Sequence, residues 1–84
     1  MRLISQDGCV DLPYETTKLW ISGAVDRFYI HTDKDSRMGV YDSMEKAQRV
    51  MFDLRNTYYY HVNKDDVIPS PVAFRFPKNE DVEV

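Results

Sequence analysis

Residues 41–60 read YDSMEKAQRVMFDLRNTYYY, the only stretch of the chain with a sustained helical period. Its apolar residues recur at intervals of three and four positions, which places them on one stripe of a helix. Two opposite-charge pairs at i, i+4 spacing, Glu45–Arg49 and Arg49–Asp53, each contribute roughly 0.2–0.5 kcal/mol. The stretch predicts an amphipathic helix, whose apolar stripe consists of Met44, Ala47, Val50, Met51, Leu54 and Tyr58.

The start of this helix carries a capping signal. Asp42 followed three residues later by Glu45 fits a capping box, in which each side chain accepts a hydrogen bond from an unpaired backbone N–H. Ser43, one position after Asp42, is the competing N-cap residue. The sequence therefore predicts a helix that begins directly after one of these two residues.

A second, narrower stripe lies beside the apolar one. At about 100° per residue, Phe52 lies more than a quarter-turn from the centre of the apolar stripe. Aromatic residues and arginine are enriched at interface hot spots, so this second stripe is the candidate protein-interaction site. The alternative is that residues 61–71 fold over Phe52 and make it part of the core. The second stripe consists of Gln48, Phe52, Arg55 and Tyr59.

The first residues of the chain are typical of a β-hairpin. Two apolar segments, Arg2–Ser5 and Cys9–Leu12, flank Asp7-Gly8. Asp-Gly is a strong hairpin signal because both central residues of a type I′ turn need positive φ. Pro13 ends the second strand or confines it to a sheet edge, since proline cannot donate to a ladder.

The next segments predict a three-stranded meander over Lys18–Val25, Asp26–Thr32 and Arg37–Tyr41. After the helix, residues 61–70 are typical of a loop, and Val72–Phe76 alternates with the period of a strand. The side chains expected to face the helix are Leu19, Ile21, Phe28, Ile30, Met38, Val40, Phe74 and Phe76.

These elements predict one α+β domain over residues 1–84, with an acidic tail over about 79–84. The expected architecture is a mostly antiparallel sheet of five or six strands, with the one amphipathic helix packed on a face.

Composition excludes several classes of protein. No apolar run approaches the roughly 20 residues of a membrane span, and the opening residues turn polar after four positions, which is not typical of a signal peptide. A net charge of −3 does not support a dedicated nucleic-acid binder, because phosphate binding needs clustered cations. The single cysteine, Cys9, suits the reducing cytoplasm.

No residue pattern predicts a catalytic, metal or cofactor site. Residues 33–39 resemble a calcium loop, but Arg37 stands where a ligand oxygen is needed. His31 and His61 are the only histidines, and neither they nor Cys9 show zinc-ligand spacing. A Cys–His nucleophile pair would need these residues to converge. We therefore expect a protein that is not an enzyme.

A nucleic-acid alternative rests on the tyrosines at the end of the helix, since aromatic rings stack on single-stranded bases. The basic residues near these tyrosines are offset by Asp65 and Asp66. Nucleic-acid binding at this site is therefore expected to be weak. The residues for this alternative are Arg55, Tyr59, Tyr60 and Lys64.

Four segments resemble short, uncharacterised proteins of Gram-positive bacteria and of their phages and mobile elements. The segments are MRLISQDG at 1–8, DLPYE at 11–15, GVYDSMEKA at 39–47 and FRFP at 74–77. The resemblance covers less than half of the chain and implies no activity. It implies a cytoplasmic protein encoded by a phage or a mobile element.

The leading hypothesis is a small non-enzymatic protein-interaction domain with an unidentified protein partner. A phage-type inhibitor of a host defence system and a weak single-stranded nucleic-acid binder are the alternatives. A homodimer through the helix is also expected, with Phe52 of each copy against Tyr59 of the other and Arg55 at the edge.

Overall fold

A computed structural model describes residues 1–62 and 73–83 of the chain. Within these residues the chain forms six strands, one α-helix and two short 3-10 helices. The strands are β1 Arg2–Ile4, β2 Asp11–Pro13, β3 Leu19–Ala24, β4 Arg27–Thr32, β5 Arg37–Tyr41 and β6 Ala73–Arg75. The α-helix, α1, spans Met44–Val62, and the 3-10 helices span Tyr14–Thr16 and Asn79–Asp81.

The strands form two three-stranded sheets. Strand order is β2-β1-β6 in the first sheet and β3-β4-β5 in the second. The first sheet contains one parallel pair, β1 with β6, while the second is an antiparallel meander. The predicted α+β class is confirmed, but the single sheet of five or six strands is wrong. The first sheet is small because its strands are three residues long.

The β1–β2 hairpin is confirmed, but its turn differs from the predicted type I′ turn. Gly8 has φ +78°, whereas Asp7 is absent from the positive-φ residues of the described chain. The Gly8 N–H donates to the Ser5 carbonyl at 2.9 Å. The Asp7 carboxylate accepts from the Ser5 hydroxyl and from the Cys9 N–H. These hydrogen bonds hold the pKa of Asp7 below its ordinary value, and the bond from Ser5 has the largest effect.

A β-bulge in β5 decides which of its side chains face the helix. Ile30 pairs with Gly39 and His31 with Arg37, so Met38 is the extra residue. Beyond the bulge the alternation is shifted by one position. Tyr41 is therefore buried at 1% exposure, while Val40 is 39% exposed. The prediction that Val40 faces the helix is wrong for this reason.

The helix begins after Ser43. The Ser43 hydroxyl accepts the Lys46 N–H at 3.2 Å, the N-cap bond to the third helical residue. The predicted Asp42 capping box is wrong, since Asp42 contacts Asn79 instead. The Asn79 side chain accepts the Asp42 N–H at 2.9 Å and donates to the Asp42 carboxylate at 3.0 Å. That bond to the carboxylate is the main cause of a lowered Asp42 pKa.

The core lies between α1 and the inner faces of the two sheets. The middle of the predicted apolar stripe is buried, as expected, through Ala47, Val50 and Leu54, while Met44 is 39% exposed. Val82, within the predicted acidic tail, also joins this core. The remaining buried apolar residues are Leu3, Ile30, Met38, Tyr41 and Phe76.

Gln6 joins the two sheets by covering the outer edge of β5. Its backbone N–H donates to the Met38 carbonyl at 2.7 Å. Its side-chain amide accepts the Val40 N–H at 3.1 Å and donates to the Val40 carbonyl at 3.3 Å. The same amide nitrogen donates to the Pro77 carbonyl at 2.9 Å. The side chain thus pairs with β5 in place of a further strand.

Replacing Leu54 by Ala should cost about 2–5 kcal/mol of unfolding free energy, because a fully buried side chain leaves a cavity. Met44→Ala is the matched control on the same helix, and it should cost under about 1 kcal/mol because Met44 is exposed. Denaturant melts of the two variants check this. Equal losses would contradict the packing of α1 described here.

Stability should also fall in alkali through Tyr41, whose pKa burial raises above its ordinary value. The unfolded chain releases this proton at lower pH than the folded chain. Stability is therefore retained below about pH 10 and falls above it, by up to about 1.4 kcal/mol per pH unit. Tyr41→Phe should remove that component in melts at successive pH values. An unchanged alkaline slope in Tyr41→Phe would contradict the assignment.

Candidate functional site

The position of α1 leaves one strand of the second sheet partly uncovered. The helix packs mainly on β4 and β5. Leu19 and Ile21, on the inner face of β3, are accordingly only half-buried. An open groove therefore runs between α1 and β3.

This groove has a volume of about 670 Å³. Ile21 forms its strand wall, and its helix wall includes three of the four residues predicted as an interaction stripe. A second cavity of about 400 Å³ adjoins it, where Leu19 faces Leu54 and Tyr58. Met51 and Arg55 line both spaces. The residues lining the groove are Ile21, Glu45, Gln48, Arg49, Met51, Phe52 and Arg55.

The predicted stripe is thus brought into one wall, except for its last member. Gln48, Phe52 and Arg55 line the groove, whereas Tyr59 is 69% exposed and does not line it. Phe52 is 47% exposed. The alternative prediction, that residues 61–71 cover Phe52, concerns side chains outside the described residues.

The nucleic-acid alternative is placed only in part. Arg55 and Tyr59 lie on consecutive turns of α1. The Tyr60 side chain and Lys64 are outside the described residues. Arg55 also lines a cavity that Glu15 lines, and there the Glu15 carboxylate pairs with the N-terminal ammonium at 2.7 Å.

The charged side chains of the groove differ in their pairing. Arg49 pairs with Asp53 at 3.3 Å, which confirms one predicted pair, and its guanidinium lies 5.8 Å from the Phe52 ring centre. The other predicted pair, Glu45–Arg49, is absent from the ion pairs of residues 1–62 and 73–83. Arg55 has no ion pair in that part of the chain either. Within the described residues, the groove thus offers an unpaired cation, Arg55, and an unpaired carboxylate, Glu45.

Sequence reasoning missed the strand wall of the groove. Ile21 was expected to face the helix, but nothing in the periodicity shows over which strands α1 lies. The signal that could have identified β3 is its composition, since LWISGA contains no charged residue. An uncharged strand at a sheet edge is unusual unless something covers it.

An aromatic row on the outer face of the second sheet was also missed. Trp20 stacks on His31 with ring centres 5.9 Å apart, and His31 lies 5.8 Å from Tyr29. The Arg37 guanidinium covers the Tyr29 ring at 4.3 Å. A cross-strand pair such as Trp20–His31 stabilises a sheet by roughly 0.2–1 kcal/mol. We therefore interpret the row as a stabilising feature, with His31 held within it.

The side chains considered for chemistry are placed as follows. Cys9 is exposed in the β1–β2 turn, where its N–H donates to Asp7. The His61 side chain is outside the described residues. Within the described ranges, no three His, Cys, Asp or Glu side chains could together hold a metal ion. The expected lack of catalytic, metal and cofactor sites stays a prediction.

No helix in the described residues is both long and apolar enough to cross a membrane. Comparisons of the chain with protein-family models, with curated proteins and with solved structures give no match. The proposed function therefore rests on the geometry of the groove.

Proposed function

We propose that this chain is a small non-enzymatic protein-interaction domain that binds its partner in the groove between α1 and β3. The observation that supports this most directly is the placement of Phe52 opposite Ile21. Both side chains are apolar and only partly covered, and they form facing walls of the same open groove.

The energetics favour a covered groove. Phe52 is about half exposed, and full burial of such a side chain is worth on the order of 2 kcal/mol. The neighbouring Met51 adds a flexible apolar surface that adapts to different side chains. The charged residues at the rim of the groove add selectivity, because Arg55 and Glu45 would each pair with an opposite charge on the partner.

The shape of the groove favours a protein over a small molecule. Sites for small ligands enclose most of the ligand surface, whereas this groove is open along one side of α1. A partner chain can fill such a space with several side chains. The edge of β3 beside it also offers backbone hydrogen bonds to an extended segment.

Two further readings are compatible with the same surface. The resemblance of residues 1–8, 11–15, 39–47 and 74–77 implies a cytoplasmic protein from a phage or a mobile element. Such a domain would use the groove to inhibit a host defence protein. Weak binding of single strands through Arg55 and Tyr59 is the rival function. The net charge of −3 opposes phosphate binding.

A photoreactive residue at position 52 should crosslink to the partner. Phe52→benzoylphenylalanine keeps an aromatic ring in the groove, and Val40→benzoylphenylalanine is the matched control at 39% exposure on the outer sheet face. We expect one protein from a Gram-positive lysate to crosslink at position 52 and not at position 40. Purified, that protein should bind the wild type, and Arg55→Glu should weaken this binding at least about tenfold.

Equal crosslinking from both positions, or no product at position 52, would contradict the proposed surface. Titration with labelled single strands at low and moderate salt tests the rival function. Salt-sensitive micromolar binding that Arg55→Glu abolishes would replace the protein-interaction proposal with a nucleic-acid one.

A further inference from the structure

The sheet edges of this fold are protected unequally. Gln6 covers the edge of β5 through its backbone and its side chain. The outer strands of the first sheet, β2 and β6, are three residues long, and each contains a charged residue. β3 is six residues long and uncharged, and within residues 1–62 and 73–83 it pairs with β4 alone.

The hydrogen-bonding groups on this edge can be assigned. The Asp33 N–H donates to the Lys18 carbonyl at 3.2 Å, so the backbone of Lys18 faces β4. Because the backbone hydrogen-bonding groups of successive strand residues point to opposite sides, the backbone groups of Trp20 and Ser22 also point toward β4. The backbone N–H and carbonyl groups of Leu19 and Ile21 therefore point away from the sheet, along the exposed edge.

We propose that a second copy of this chain pairs with β3, edge to edge and antiparallel, about a two-fold axis at Ile21. The proposal rests on the proposed function and names the partner for the same groove. The product is a continuous six-stranded antiparallel sheet, with both α1 helices on one of its faces. Isologous two-fold contacts of this kind are the commonest form of protein dimer.

The sequence of β3 is complementary to itself in this register. Pairing about Ile21 places Leu19 opposite Gly23 of the second copy, on the inner face. It also places Trp20 opposite Ser22 of the second copy, on the outer face. Each large side chain thus meets a small one. Gly23 cannot be replaced by a larger residue, since it has φ +153° and a Cβ there would lie 2.1 Å from the Arg27 carbonyl oxygen.

The groove is complementary in the same arrangement. Ile21 of the second copy would enter beside Ile21 of the first, against Phe52, so that each Phe52 covers an added apolar side chain. The helix runs antiparallel to β3, because its later residues face Leu19 and its earlier ones face Ile21. The two-fold axis therefore brings Arg55 of one copy toward Glu45 of the other. The dimer predicted from the sequence relied on Phe52 and Tyr59; here β3 supplies the main contact.

A charge-swap experiment at position 21 tests the proposal with the full chain. A residue on the two-fold axis meets its own copy, so Ile21→Glu and Ile21→Lys each place like charges together. Sedimentation equilibrium should show a wild-type dimer and a weakening of at least about a hundredfold for each variant alone. An equal mixture of the two variants should recover the dimer, because the opposed charges then attract. Val40→Glu, on the outer sheet face, is the matched control and should stay dimeric.

Several results would overturn the proposal. Recovery in the mixture cannot come from misfolded variants. If each variant keeps the wild-type circular dichroism spectrum, a mixture that stays monomeric counts against the two-fold axis. A wild type that is monomeric at millimolar concentration removes the second copy as partner. If its Leu19 and Ile21 amides are then protected from hydrogen exchange, the edge is covered within one chain. A monomer that still crosslinks another protein from position 52 loses this inference and keeps the proposed function.

Discussion

The pairing of Gln6 with the edge of β5 is the contact on which the arrangement of this domain depends. In residues 1–62 and 73–83 the two sheets share no strand, and side chains and turns join them. Gln6 bonds to Met38, Val40 and Pro77, which brings the β1–β2 turn, β5 and the residues after β6 to one place. The Tyr41 hydroxyl donates to the same Pro77 carbonyl at 2.8 Å. Both amide atoms of Gln6 are therefore paired, and the Pro77 carbonyl accepts two hydrogen bonds.

This junction has a consequence on the opposite side of the second sheet. The bulge at Met38 turns Tyr41 inward, and α1 starts just after it and packs mainly on β4 and β5. β5 is thereby covered by Gln6 at its edge and by the helix on its inner face. In the described residues the edge of β3 has no such cover and the helix covers its inner face only in part, so Ile21 and Phe52 face each other across the groove. The groove thus exists because α1 packs mainly on β4 and β5 and leaves β3 partly uncovered.

The sequence predicts the elements of this fold better than their assembly. Periodicity identifies α1 and its buried Leu54, because helical spacing is a local property. It also identifies Phe52 as a residue outside the core stripe, which its exposure confirms. The bulge at Met38 reverses the faces of Val40 and Tyr41, and no local pattern marks the extra residue. The pairing of Gln6 with Val40 spans 34 positions of sequence, so neither the two-sheet division nor the strand wall of the groove could be predicted.

In the proposed dimer, a second copy of the chain supplies the strand that pairs with the uncovered edge of β3 beside the groove. Isotope-filtered NMR on an equal mixture of labelled and unlabelled chains detects this pairing. In the proposed register Trp20 of one copy and Ser22 of the other form a pair without mutual hydrogen bonds, whose Cα atoms lie about 4.5 Å apart. We expect an intermolecular cross-peak between the α protons of Trp20 and Ser22. A sample shown to be dimeric that lacks this cross-peak, with intermolecular contacts at Val40 or Tyr29 instead, would contradict it.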